Sequence, residues 1–127
     1  MSMVNVIRGG EAPQIELPGV RFVGMAAPSR GSGQVCTWRI AVEPGHESDQ
    51  SHRLDRDEVF MVTSGQLRIT PDGEVLRTGD AVAVPAGQPI AVANPGAEPA
   101  EAYVAIAAGF TATMADGTRV GTPPWAQ

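Results

Sequence analysis

The stretch His46-Glu47-Ser48-Asp49-Gln50-Ser51-His52-Arg53-Leu54-Asp55-Arg56-Asp57-Glu58-Val59-Phe60-Met61-Val62-Thr63-Ser64 decides the fold. It contains no Gly or Pro, and Ser48 can cap a helix in which Arg53 and Asp57 stand at i, i+4 spacing. Its second half argues the other way. Val59-Phe60-Met61-Val62 is a continuous apolar run rather than a stripe of period 3.6, and Thr63-Ser64-Gly65 ends it. The stretch therefore reads as a strand entered from a polar hairpin.

Outward from it, the chain is punctuated at short intervals. Its 15 Gly and 11 Pro leave little room for long helices, whereas strands and tight turns tolerate that density. The expected strands are Val20–Met25, Val35–Val42, Val59–Thr63, Leu67–Thr70, Ala81–Val84, Ile90–Ala93 and Ala102–Ala107, each rich in Val, Ile or Ala and closed by turn residues. Asp72-Gly73 predicts a tight hairpin, and Asn94-Pro95-Gly96 and Asp116-Gly117 predict two further reversals. With no repeat, linker or low-complexity tract, residues 1–127 read as one all-β domain, a barrel or sandwich.

Composition narrows the function. Against 14 acidic residues there are 9 basic ones, a net charge of -5, which argues against a nucleic-acid partner. Arg53 and Arg56 are close neighbours, but Asp55, Asp57 and Glu58 dilute them into a mixed-charge turn. The lone Cys36 cannot form an internal disulfide, which suits a cytoplasmic setting, and its apolar neighbours predict an inert buried thiol. No secretory leader pattern or membrane-length apolar run is found, since Pro85, Gly87 and Pro89 interrupt the stretch 81–93. Gly31-Ser32-Gly33 lacks the Lys-Ser/Thr of a phosphate loop.

Two ordered motifs carry a resemblance. Pro44-Gly45, His52, Glu58 and Gly65 resemble the first cupin motif, with Gly65 seven positions after Glu58. Gly79, Pro85, Gly87 and Asn94 resemble the second, with intervening runs of five, one and six residues. Only 13 residues separate Gly65 from Gly79. The resemblance covers about half the chain. It implies a cupin-type double-stranded β-helix, or jelly-roll, barrel with a small-molecule site in its interior, and small cupins commonly form homodimers.

The departures bear on chemistry. In a full cupin a cluster of imidazoles and one carboxylate holds a metal. Here the second histidine position is Leu54, the third is Ile90, and one extra residue lies between Gly45 and His52. Side chains at 52 and 54 share a strand face because the period is two, and Glu58, Phe60 and Val62 share a face of what is read as the antiparallel partner. His52 and Glu58 remain as candidate metal donors. They make a poor site, able at most to hold a divalent metal weakly with help from substrate oxygens, so no resident cofactor is expected. His46 either folds back to the barrel mouth or stays in a solvated loop.

Without metal, His52 and Glu58 are the candidate catalytic pair, an imidazole beside a carboxylate able to shuttle a proton in an isomerisation, lyase or cyclase step. The alternative is a hydrogen-bonded pair with no catalytic role. Leu54, Phe60, Ile90 and Trp38 are expected to line an apolar ligand pocket, Trp38 otherwise packing in the core. Arg39 is expected on the outer face of its strand. Trp125 calls for docking, on the barrel or on a partner subunit. The reading is a small-molecule-binding barrel with an incomplete metal site. Its rivals are a cupin enzyme, either weakly metal-dependent as an oxygenase or isomerase or metal-free with acid–base chemistry, and a purely structural role.

Overall fold

The structure, a computed structural model, describes residues 4–127. Where β-branched and small apolar residues alternate with others, the chain is extended. Eleven strands are found among the described residues: β1 (Gln14–Leu17), β2 (Val20–Gly24), β3 (Val35–Val42), β4 (His52–Leu54), β5 (Glu58–Ser64), β6 (Gln66–Leu67), β7 (Leu76–Arg77), β8 (Ala81–Val84), β9 (Ala100–Ala107), β10 (Ala112–Met114) and β11 (Arg119–Gly121). Three single turns of 3-10 helix, Gly9–Glu11, Pro28–Arg30 and Pro124–Ala126, are the only helical pieces there. None could cross a membrane.

The long wall is a six-stranded antiparallel sheet in the order β1-β2-β3-β9-β5-β8. The short wall is β11-β10-β4, continued by isolated bridges His52↔Ile90, Glu47↔Ala93 and Arg68↔Ala93. One hydrophobic core unites them, drawing Trp38, Ile40, Val62 and Val104 from the long wall and Leu54, Ile90 and Ala112 from the short one. Period-two burial is clearest in β3, where Cys36, Trp38, Ile40 and Val42 point inward, and in β9, where Ala100, Ala102, Val104 and Ile106 do. The fold is all-β, as the spacing of turn residues predicts.

Several expectations need correction. The strand over 90–93 has only isolated bridges, and the one over 67–70 contracts to Gln66–Leu67, so Asp72-Gly73 lies within a broad loop rather than a two-residue hairpin. Strands β1, β10 and β11 were not anticipated, because short half-exposed segments carry too little alternation to stand out. Ala102–Ala107 is extended to Ala100–Ala107 as β9, which lies between β3 and β5 in the middle of the long wall.

The largest correction concerns the opening stretch. β4 and β5 do not form a hairpin. β4 pairs with β10, while β5 pairs with β8 and β9, so residues 55–57 turn a corner between the walls. Two carboxylates pin that corner: Asp55 accepts a hydrogen bond from the Thr111 backbone N–H at 2.7 Å, and Asp57 accepts one from Ala86 N–H at 2.9 Å. The Arg53 guanidinium donates to the Gly87 carbonyl.

The motif glycines are backbone devices. Gly65, Gly79 and Gly87 have φ of 76°, 91° and 84°, where a Cβ is unfavourable. At Gly65 a Cβ would also stand 2.6 Å from the Pro99 carbonyl, so glycine is required for β5 to pass the start of β9.

Candidate functional site

Strand register places the candidate residues. Across the long wall Cys36 faces Ile106, Ile106 faces Glu58, and Glu58 faces Val84. This row lies at the end of the barrel where β3 and β5 begin and β8 and β9 finish. Glu58 is the first residue of β5 and points inward, with only 2% of its surface exposed. Its Oε1 is buried without any hydrogen-bond partner. Desolvation among Ile106, Val84 and their neighbours pushes its pKa up to about 8, so the carboxyl is mainly protonated at neutral pH.

His52 comes from the opposite wall. Its backbone exchanges two hydrogen bonds with Ile90, 3.0 Å from His52 N–H to the Ile90 carbonyl and 2.8 Å in return, and Met114 flanks it on the other side. The half-buried imidazole is desolvated, which lowers its pKa and favours the neutral ring. No hydrogen bond or ion pair joins it to Glu58. The two groups reach the interior from different sheets, and each is desolvated there without a hydrogen bond to the other. At neutral pH the carboxyl is a donor and the imidazole an acceptor.

The four expected pocket residues belong to the packed core. Trp38, Leu54, Phe60 and Ile90 are 4%, 5%, 4% and 2% exposed, so they present almost no surface to a ligand in this conformation. The surface holds a cleft of about 220 Å³ beside Leu17, Arg21 and Glu43, and another of about 330 Å³ beside Gln66, Arg77 and Gly96, neither of which reaches Glu58. The His46 imidazole rests over Gly19, at the barrel end opposite Glu58. Its route to the interior is closed. Arg39 alternates with inward Trp38 and Ile40 on the outer face, as expected.

Trp125 docks on its own barrel. Its ring stacks on Phe22 with centroids 3.8 Å apart and planes 9° from parallel, and meets Trp38 edge-on at 6.4 Å. Asn94, singled out as a motif residue and as part of a reversal, is a structural knot. Its buried amide donates to the carbonyls of Val42 at 3.1 Å and Glu98 at 2.9 Å, while its own carbonyl accepts from Gly96 N–H. The motif marks the position, and the sequence does not show these partners.

The donor set tests the metal that the fold brings to mind. Among the described residues, no group of three or more His, Cys, Asp or Glu side chains converges to hold an ion. Leu54 and Ile90 are buried aliphatic side chains without donor atoms. The two remaining donors fall short of the three protein ligands of a catalytic zinc or non-haem iron site. The residues present do not fit a tightly held metal.

Known proteins agree on the architecture. A cupin-superfamily sugar phosphate isomerase from Silicibacter pomeroyi superposes with a TM-score of 0.70 at 21% identity, covering 95% of each chain. The polyketide cyclase RemF from Streptomyces resistomycificus gives 0.70 at 16% identity over 83% of this chain and 80% of its own. A salicylate 1,2-dioxygenase from Pseudoaminobacter salicylatoxidans gives 0.61 at 17% over 74% of this chain and 26% of its own. At these identities the likeness is one of fold. No curated protein matches by sequence. The cupin domain profile matches residues 38–106, more than half of the chain and both motifs, and the chain belongs to the cupin family.

Proposed function

We propose that the protein is a small-molecule-binding cupin barrel with an apolar interior and no tightly held metal, in which Glu58 is the polar anchor for the ligand. The observation that carries this is the unpartnered Oε1 of a side chain only 2% exposed. A buried polar atom left unsatisfied costs about 1–3 kcal/mol, and a ligand that satisfies it recovers that free energy. Because the carboxyl is mainly neutral, the matching ligand is an uncharged molecule with a hydrogen-bond acceptor, such as a ketone on an apolar body.

A fluorescence titration with prodan, a neutral naphthyl ketone, tests the proposal. Wild-type protein is expected to bind it, and Glu58→Leu to weaken binding roughly tenfold, the equivalent of one hydrogen bond. Equal affinity in both proteins would remove Glu58 from the role.

A second reading is favoured by the opposed pKa shifts. A protonated Glu58 and a neutral His52 in one barrel are an acid and a base in the correct states for proton transfer near neutral pH. That arrangement suits an isomerase, lyase or cyclase, and the fold's relatives include a sugar phosphate isomerase and a polyketide cyclase. Exposed Val35, Met61 and Tyr103 on the outer face of the long wall support pairing of two copies, and the buried Cys36 thiol suits the cytoplasm.

A further inference from the structure

Glu58 is sealed in, so a ligand that reaches it needs a way through. At the end of the barrel that holds the Cys36–Ile106–Glu58–Val84 row, residues 122–127 pack over its β2–β3 side. The Cys36 thiol donates to the Ala126 carbonyl at 3.3 Å, and Ala126 is itself 1% exposed. Cys36 and Glu58 are two strands apart in the same row, roughly 10 Å at ordinary strand spacing. What lies over Cys36 therefore borders the same end of the sheet as Glu58.

The segment is held differently from the rest of the barrel. After β11 ends at Gly121, no strand pairing continues through residues 122–127. Its attachments are the Trp125 ring in the slot between Phe22 and Trp38, Ala126 buried at the margin of the core, and a few side-chain hydrogen bonds. Arg30 donates to the Trp125 carbonyl at 3.2 Å, Ser29 donates to the Gln127 carbonyl, and the Thr122 hydroxyl donates to the Phe110 carbonyl at 2.7 Å. Gly24 leaves room for this latch, since a Cβ there would stand 2.7 Å from the Trp125 carbonyl and 2.8 Å from the Arg30 guanidinium. Gly121, the last residue of β11, has a φ of 66° where the segment leaves the sheet.

The polar groups left over point the same way. Among the described residues the two buried side-chain atoms without a partner are Glu58 Oε1 and Trp125 Nε1. The closed state leaves one unsatisfied atom in the site and one in its cover. Segments held by few contacts and no ladder open at lower free energy than the sheets they rest on.

We propose that residues 122–127 are a gate: they lift from the barrel end as a unit while both sheets stay folded, uncovering Cys36 and the route to Glu58. This rests on the ligand-binding reading of Glu58 for its purpose, but its motion is measurable without any ligand. Cys36 is the only cysteine and is fully buried when the gate is shut, so its reaction with dithionitrobenzoate counts openings.

The test measures labelling rates of the full chain between zero and low urea. A gate gives a rate that barely changes with urea, because local opening exposes little surface, and Arg30→Gln speeds labelling about tenfold. That acceleration would run against the loss of the Arg30 charge, which favours the thiolate. A rate that rises with the full urea dependence of global unfolding, in both wild type and Arg30→Gln, would overturn the gate. Prodan association then separates the two claims. If labelling reports local opening and prodan binds neither protein, the gate stands and the ligand reading of Glu58 fails.

Discussion

Among the described residues two polar or charged side chains, Asn94 and Glu58, are buried, and they are treated in opposite ways. Asn94 is 1% exposed and Glu58 2%, so both have been removed from water to the same degree. Asn94 uses both faces of its amide, tying the end of β3 to the loop before β9 through Val42, Glu98 and Gly96. Glu58, at the other end of the barrel, leaves Oε1 with nothing to bind and has its pKa raised to about 8. A satisfied buried amide stabilises the fold that buries it. An unsatisfied buried carboxyl opposes folding, so the comparison sets a satisfied structural knot at the Asn94 end against a destabilising group at the Glu58 end, the one to which the proposed function assigns a ligand.

The largest expected effect separates the two residues by pH. The folded pKa of Glu58 lies above the ordinary value of 4.5, so its burial carries no ionisation penalty at low pH, where both folded and unfolded chains are protonated. As pH rises from 4.5 towards 8, the unfolded chain ionises and the folded one does not, and stability falls. Glu58→Leu should therefore gain on wild type by about 4 kcal/mol across that window, read from urea unfolding at each pH. A constant difference between the two proteins would mean that Glu58 is ionised in the fold.

Asn94→Ala should act in the opposite direction. It strips partners from two carbonyls and one N–H, and a loss of about 3 kcal/mol is expected at every pH, measured by the same unfolding curves. A loss below about 1 kcal/mol would show that water replaces the amide and that the two buried residues differ less than their geometry says.

The smallest effect belongs to His52. Its folded pKa is lowered, so the unfolded chain binds more protons once the pH drops through 6.5, and stability is lost on that acidic side. His52→Gln should flatten the acid limb of the stability profile while leaving stability above neutrality unchanged. An unaltered acid limb would place the imidazole in solvent and weaken its candidacy as the base.

Part of this was legible in sequence. Gly65, Gly79 and Gly87 occupy turns that need positive φ, and a motif spacing reads such positions directly because each turn is local. The inward faces of β3 and β9 follow from strict alternation. The pairing of β4 was not legible. Asp55 and Asp57 look like solvated turn residues until Thr111 and Ala86, distant in sequence, arrive to be bound. Trp125 posed a question that sequence could ask without answering, since its slot is assembled from Phe22 and Trp38 on two other strands.

The amino-acid sequence by itself determined that this chain is an all-β cupin barrel and that Leu54 and Ile90 bring no donor atoms to the place where ligands would cluster. Those properties depend on residue type and on short-range spacing. Only the tertiary structure decided that His52 and Glu58 stand on separate walls, that Glu58 is buried with its Oε1 unpartnered and its pKa raised, and that residues 122–127 pack against Phe22, Cys36 and Trp38. Desolvation and strand partnership depend on what the rest of the chain packs against each group, and no local pattern records them.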